Sequence, residues 1–144
     1  MPYTIDWLVT HKVIYSSFSG ETTEDDMRDS LLAAKNMIES SENPHVHVIS
    51  DTGNVTKALP SHKALQISRQ IGMHDRLGWN IVIRERSALV KMGVAFATVV
   101  AKSKTRSFDS LADAEAFLRQ MDESVDWDKA DHSVVQVDHN GSHD

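Results

Sequence analysis

The chain has 144 residues, of which 40% are hydrophobic and 25% charged, with no Cys and a formal net charge of −6. This length and apolar fraction fit one globular domain with a single core, and they exclude a disordered or fibrous protein. The lack of Cys excludes disulfides, thiolate metal sites and thiol nucleophiles.

The negative charge is concentrated at the C-terminal end of the sequence. Residues 1–121 hold 14 acidic and 14 basic side chains, whereas residues 122–144 hold seven acidic side chains and one basic one. Within the first segment, residues 69–106 hold eight basic and two acidic side chains. We therefore predict a domain at residues 1–121 and a loosely ordered acidic tail at residues 122–144. The basic excess at residues 69–106 could receive an anion or an acidic partner, and the simpler interpretation is an ordinary solvated surface.

Membrane and export signals are not expected from the sequence. The N-terminus has an acid at position 6 and no basic region. The longest uncharged apolar run, residues 92–101, is ten residues long, about half of the roughly 20 that a membrane-spanning helix needs. We predict a soluble cytoplasmic protein without membrane insertion.

The first half of the chain predicts a hairpin, a helix and a short strand. Alternating apolar residues predict strands at residues 3–9 and 13–18. Thr22 or Thr23 is expected to cap a helix, since each has an acid three residues later, and the helix should end near Ser41. A strand at residues 46–49 is then expected to end in a polar loop, whose residues are Asp51, Thr52, Gly53 and Asn54.

The second half predicts three more helices and two more strands. Ser61 is expected to cap a helix that turns Ala64, Ile67 and Ile71 inward. Strands at residues 79–84 and 105–108 flank a helix at residues 87–101. A last helix, capped by Ser110, turns inward Leu111, Ala114, Phe117, Leu118 and Met121. The order β-β-α-β-α-β-α-β-α predicts a single α/β domain, bordering on α+β, with a mixed sheet whose later strands are parallel.

Four segments carry a resemblance to a known family. Trp7 lies in the first strand, residues 18–24 (FSGETTE) lead into the first helix, residues 46–51 (VHVISD) form the third strand, and residues 106–111 (RSFDSL) lead into the last helix. In this order, over residues 3–121, they resemble the STAS superfamily, in particular small SpoIIAA-like proteins related to anti-sigma factor antagonists. The resemblance implies a non-enzymatic regulatory domain that binds a protein partner.

The resemblance also implies candidate contact residues at the start of the second helix. In antagonists of this superfamily a Ser or Thr there is phosphorylated, and the added charge breaks the partner complex. The corresponding residues here are Ser61 and His62, which are the candidate phosphorylation site and partner contact. The family's preceding Asp and following Gly are missing, and the simpler interpretation of Ser61 is a helix N-cap.

Other site chemistry finds little support in the sequence. His45 and His47 lie two apart on a strand and could bind a metal together with His62 or His74. No spacing fixes that third ligand, so we predict no metal and no cofactor. A nucleophile elbow and nucleotide-binding glycine motifs are missing, so we predict no enzymatic activity. Residues 51–54 are a candidate anion loop through their backbone N–H groups, with a simple turn as the alternative.

The predicted helix at residues 87–101 carries two apolar stripes, whereas a peripheral helix needs one. Its second stripe is either buried within the monomer or is a candidate dimer or ligand face, and it consists of Val90, Val94, Ala97 and Ala101. Relatives of the STAS fold include CRAL-TRIO-type lipid-transfer domains. The alternative function is therefore binding of a small lipid-like or anionic ligand between helices and sheet, with candidate cavity walls Met73, Trp79, Met92 and Phe96. We predict a protein partner, with a homodimer as an option, and no nucleic-acid partner.

Overall fold

The computed structural model describes residues 3–72, 74–85 and 104–135. The elements, in chain order, are β1 (Tyr3–Val9), β2 (Val13–Glu21), α1 (Glu24–Ser40), β3 (Val46–Lys57), α2 (Ser61–Ile71), β4 (Leu77–Ile83), β5 (Thr105–Phe108), α3 (Leu111–Met121) and two short 3-10 helices, η1 (Trp127–Lys129) and η2 (His132–Val134). The predicted mixed α/β class is confirmed. The helix predicted at residues 87–101 lies outside the described residues.

The five strands form one mixed sheet in the sequential order β1-β2-β3-β4-β5. β1 and β2 pair antiparallel, as the predicted hairpin requires. The other three pairings are parallel, so the carboxyl ends of β2 to β5 lie together at one end of the sheet and their amino ends lie together at the other. Side chains from neighbouring parallel strands can therefore meet at either end.

Helix α1 covers one face of the sheet. Its Ile38 is buried against Ile14, Val46 and Val48 of β2 and β3. α2 lies beside α1, and the Lys35 ammonium of α1 donates a 2.9 Å hydrogen bond to the carbonyl oxygen of Ile71 at the end of α2. The two helices therefore form a single layer on this face.

Helix α3 and the residues after it cover the opposite face. Ala114 and Leu118 of α3 are buried in a core cluster with apolar residues of β1 to β4. Val125 and Trp127, only 7% and 6% exposed, belong to the same cluster. The backbone N–H of Asp131 donates to the Leu8 carbonyl oxygen at 2.7 Å. Residues 122–135 of the predicted tail thus pack on the sheet, and we call them the C-terminal strap.

Local side-chain bonds fix the helix ends. Thr23 and Asp26 each accept a hydrogen bond from the other's backbone N–H, which completes the predicted capping box of α1. Ser110 caps α3 by accepting from the Asp113 N–H, as predicted. The last turn of α1 has no basic residue; instead the Arg76 guanidinium donates to the carbonyl oxygens of Ile38, Glu39 and Ser41.

Two predicted details of the helices are wrong. Ser61 is the first residue of α2 and Pro60 is its N-cap, because the Pro60 carbonyl oxygen accepts the first helical hydrogen bonds from Lys63 and Ala64. Met121, predicted to face inward, is 49% exposed at the end of α3, where the chain turns away into the strap. Among the described helices, none has the length and apolar content that crossing a membrane requires.

We predict that Trp127→Ala lowers the free energy of unfolding by about 3–5 kcal/mol, because it removes a buried indole and leaves a cavity under the strap. Chemical denaturation measures this cost. Met121→Ala, at an exposed position on the adjoining helix, is the control and should change stability by less than about 1 kcal/mol. Equal midpoints for the two variants would show that the strap is not part of the folded core.

Candidate functional site

The candidate anion loop, residues 51–54, lies inside a strand and not in a loop. β3 continues through it, and β2 pairs on both sides, Ser17 with Asp51 and Ser19 with Asn54. Between these pairs β3 has one residue more than β2, so β3 bulges. The turn-forming composition thus produces an irregular strand and not a chain reversal, which corrects the predicted loop.

The Asp51 carboxylate is the centre of a buried hydrogen-bond network. Its Oδ2 accepts a 2.6 Å bond from the Tyr15 hydroxyl, and its Oδ1 accepts from Arg84 Nε at 3.0 Å and from the Gly53 N–H at 2.9 Å. Asp51 is 1% and Arg84 6% exposed. Two buried charges are tolerated because they pair and because further donors reach the carboxylate. The Gly53 N–H, which an anion loop would present to its ligand, is bound to Asp51.

Arg84 follows β4 in an unusual backbone conformation. Its φ of 56° lies in the left-handed region, which is strained for a residue with a side chain. Its guanidinium lies against Gly53, where an added Cβ would come within 2.6 Å of Nε and 2.8 Å of Cζ. Gly53 is therefore needed for the close approach of Arg84 and not for a turn.

His47 forms a second buried polar contact, at the amino ends of the parallel strands. Its Nδ1 accepts a 2.9 Å hydrogen bond from the Trp79 backbone N–H, so the proton of the neutral ring is on Nε2, which donates to Asp122 Oδ2 at 2.8 Å. The ring lies over Gly78, where a Cβ would be 2.5 Å from Nδ1. His47 thus joins β3 and β4 to the first residue of the C-terminal strap.

The environment of this pair shifts both of its pKa values downward. Burial lowers the pKa of His47, and the neighbouring Asp122 carboxylate only partly offsets that effect. Burial alone would raise the pKa of Asp122, but hydrogen bonds from Ser124 and His47 lower it to about 2. At neutral pH the pair is therefore a neutral imidazole donating to a carboxylate.

The outer face of α2 lines a groove of about 440 Å³. The described residues that line it are one stripe along the helix: His62, Leu65, Gln66, Arg69 and Gln70. The stripe begins at the candidate contact residue His62, which is exposed. Ser61 precedes it as the first helical residue. The structure therefore places the predicted contact residue His62 at one end of this groove.

Trp79 is the one candidate cavity wall within the described residues. Its ring meets the edge of the Phe117 ring, with centroids 4.8 Å apart and planes at 84°. Lys104 Nζ and Arg106 Cζ lie 5.8 Å and 5.0 Å from the same ring centroid. The Trp79 ring therefore contacts side chains of the chain itself. The other candidate wall, dimer-face and ligand-face residues lie outside the described residues: Met73, Val90, Met92, Val94, Phe96, Ala97 and Ala101.

Within residues 3–72, 74–85 and 104–135, no three His, Asp or Glu side chains are placed to hold a metal ion. His45 is exposed, whereas His47 is buried with both ring nitrogens engaged. His74 instead contacts Glu39, and its Nδ1 accepts from the Arg76 N–H. His47 and His74 therefore serve in two separate contacts.

The sequence singled out Asp51 as part of an anion loop and not as a buried carboxylate, and it did not predict the partners Tyr15 and Arg84 or the His47–Asp122 pair. One signal was available for Arg84, since a charged residue directly after a buried apolar strand must reach a partner or solvent. No local signal joins His47 to Asp122, which is 75 residues away along the chain.

We predict that Asp51→Leu lowers the free energy of unfolding by about 3–5 kcal/mol, because it removes the carboxylate that neutralises the buried Arg84 guanidinium. The double variant Asp51→Leu/Arg84→Met should recover part of this loss, since it also removes the buried charge. Urea denaturation of the wild type and both variants measures these differences. A single variant within about 1 kcal/mol of the wild type would contradict the central role of the network.

We also predict that acid destabilises the fold in two steps. The pKa of His47 is lower in the folded than in the unfolded chain, so its contribution is lost as the pH falls below the ordinary value of 6.5. The contribution of Asp122 is lost as the pH falls from 3.8 towards about 2. His47→Gln can keep both hydrogen bonds without titrating. Its unfolding free energy should therefore fall less steeply than that of the wild type between pH about 7 and 5; parallel curves would contradict the assignment.

Comparison with known proteins adds no family to this description: no protein-family profile matches the chain, and no curated protein matches it.

Proposed function

We propose that the chain is a non-enzymatic regulatory domain of STAS type that binds a protein partner through the outer face of α2. The observation that carries the proposal is the groove along this face, which begins at His62, where the resemblance to anti-sigma factor antagonists implies partner contact. A binding domain needs an accessible, shaped surface and no catalytic group. The α2 groove supplies such a surface.

The chemistry of the groove suits a polypeptide. Leu65 offers an apolar contact in the middle of the stripe, and Gln66 and Gln70 can each donate and accept hydrogen bonds. Within the described part of the chain, these two amides and the side chains of His62 and Arg69 make no hydrogen bond or ion pair with the protein. Their polar groups are therefore available to a partner's backbone and side chains.

The charge of α2 suits a partner with acidic groups. The sequence of α2 holds no Asp or Glu, and its basic residues are Lys63 and Arg69. Lys63 lies 3.9 Å from Glu24 of α1, so its charge is partly balanced, whereas the exposed Arg69 lines the groove. We expect a carboxylate of the partner to contact Arg69.

Phosphorylation of Ser61 is the form of regulation that the proposal includes. A phosphate there would add about −1.5 to −2 charges at the N-terminus of α2, where a helix favours negative charge. It would also add negative charge beside His62, at the end of the groove. The affinity for a partner that binds through its acidic groups would therefore change. Mass spectrometry of the chain from its native host detects the modification.

A small ligand is the second candidate for the same groove. Its volume of about 440 Å³ falls within the range of roughly 300–1,000 Å³ that small-molecule sites occupy. Among the described lining residues, Arg69 supplies the positive charge that a small anionic ligand requires. Native mass spectrometry separates the two candidates, because a retained ligand adds a small fixed mass to that of the polypeptide.

The test of the proposal is site-specific photo-crosslinking in the native host. A photoreactive residue replaces Gln66 or Gln70 in the groove, and Gln120, which is exposed on α3, is the matched control position. We expect one discrete protein adduct from both groove positions and none from Gln120. The same adducts from all three positions, or none from the groove, would contradict the α2 surface as the binding site.

A further inference from the structure

Two basic side chains flank one indole ring near the edge of the sheet that β5 forms. Lys104 precedes β5 and Arg106 lies within it, and both are exposed. Their charged groups lie 5.8 Å and 5.0 Å from the centroid of the Trp79 ring, within the distance of about 6 Å at which a cation is attracted to an indole face. We call these three residues the cation–indole patch.

The patch is held in place by buried structure. Phe117 of α3 packs edge-on against the Trp79 ring, and Phe108 packs against Phe117 with centroids 5.1 Å apart. The backbone of Trp79 is fixed by the hydrogen bond from its N–H to His47. Because the indole is fixed and holds both cations near it, a ligand of the patch would lose little affinity to the ordering of side chains.

The two cations have no acidic partner within the described part of the chain. Arg106 Nη1 donates only to the backbone carbonyl oxygen of Thr105, whereas other exposed basic residues, such as Lys57 and Arg119, lie near carboxylates. Two positive charges with no carboxylate beside them, next to an apolar ring, complement a ligand that carries carboxylates and some apolar surface.

We propose that the cation–indole patch is a docking surface for an acidic peptide segment of a protein partner, separate from the α2 groove. The whole chain carries a net charge of −6, which disfavours a long polyanion such as a nucleic acid. A short acidic segment needs favourable charge only where it binds. One carboxylate reaches Lys104 and another reaches Arg106, while the apolar part of the segment lies on the exposed part of the Trp79 ring.

The test is a titration of the full chain, labelled with ¹⁵N, with an alternating Glu-Ser peptide and a Gln-Ser peptide of equal length. We expect the Glu-Ser peptide to shift the Trp79 indole N–H signal, which Trp79→Phe assigns, and to bind at least about tenfold more weakly in the variant Lys104→Glu/Arg106→Glu. The Gln-Ser peptide should cause no shift. Binding should weaken as the salt concentration rises from about 50 to 500 mM.

The control is Lys57→Glu/Lys129→Glu, which changes the net charge by the same amount at two exposed sites outside the patch. It should bind the Glu-Ser peptide nearly as well as the wild type does. Lys104→Gln/Arg106→Gln is a milder variant, whose fold is checked by its thermal unfolding, and it should also lose binding. Arg69→Glu, in the α2 groove, should leave the peptide-induced shift of the Trp79 indole signal unchanged.

Three results would overturn the proposal. The first is an equal loss of Glu-Ser peptide binding in the patch variant and the control variant, which would mean that the overall charge and not the patch attracts the peptide. The second is no binding by the wild type at low salt. The third is tighter binding of a single-stranded oligonucleotide than of the Glu-Ser peptide, which would assign the patch to nucleic acid.

Discussion

The buried Asp51 carboxylate holds three neighbouring strands together. Tyr15 reaches it from β2, Asp51 itself belongs to β3, and Arg84 reaches it from the end of β4. A carboxylate that is 1% exposed is stable only with its donors in place. The strands therefore cannot slide relative to one another without breaking a charged hydrogen bond. This fixes the register of the sheet on which both helix layers and both proposed surfaces depend.

Two glycines allow the buried polar groups to reach their partners. Gly53 leaves space for the guanidinium of Arg84, and Gly78 leaves space for the ring of His47. Each glycine lies on a strand next to the one that carries, or precedes, the side chain it accommodates. In both places a methyl group would come within 2.6 Å of a nitrogen atom, so the polar contact and the glycine are parts of one structural device.

What the sequence predicts well is local. The limits of β1 and the caps at Thr23 and Ser110 follow from alternation and from an acid three residues after the cap. The loop at residues 51–54 is predicted wrongly because Asp, Gly and Asn favour turns locally, whereas the partner Arg84 is 33 residues away. The burial of Trp127 is not predicted either. Its neighbours in the sequence are acidic, and charge composition does not show that a single side chain among them is part of the core.

The two proposed surfaces lie on opposite faces of the sheet. The α2 groove belongs to the layer that α2 forms with α1, and the cation–indole patch lies on the face that α3 covers. Since the sheet and its two core clusters separate them, a partner on one surface does not displace a partner on the other. Their shared preference for acidic groups has separate sources, Arg69 in one case and Lys104 with Arg106 in the other. Under the two proposals together, the domain holds two acidic partners at once, and the proposed regulatory role consists in bringing them together.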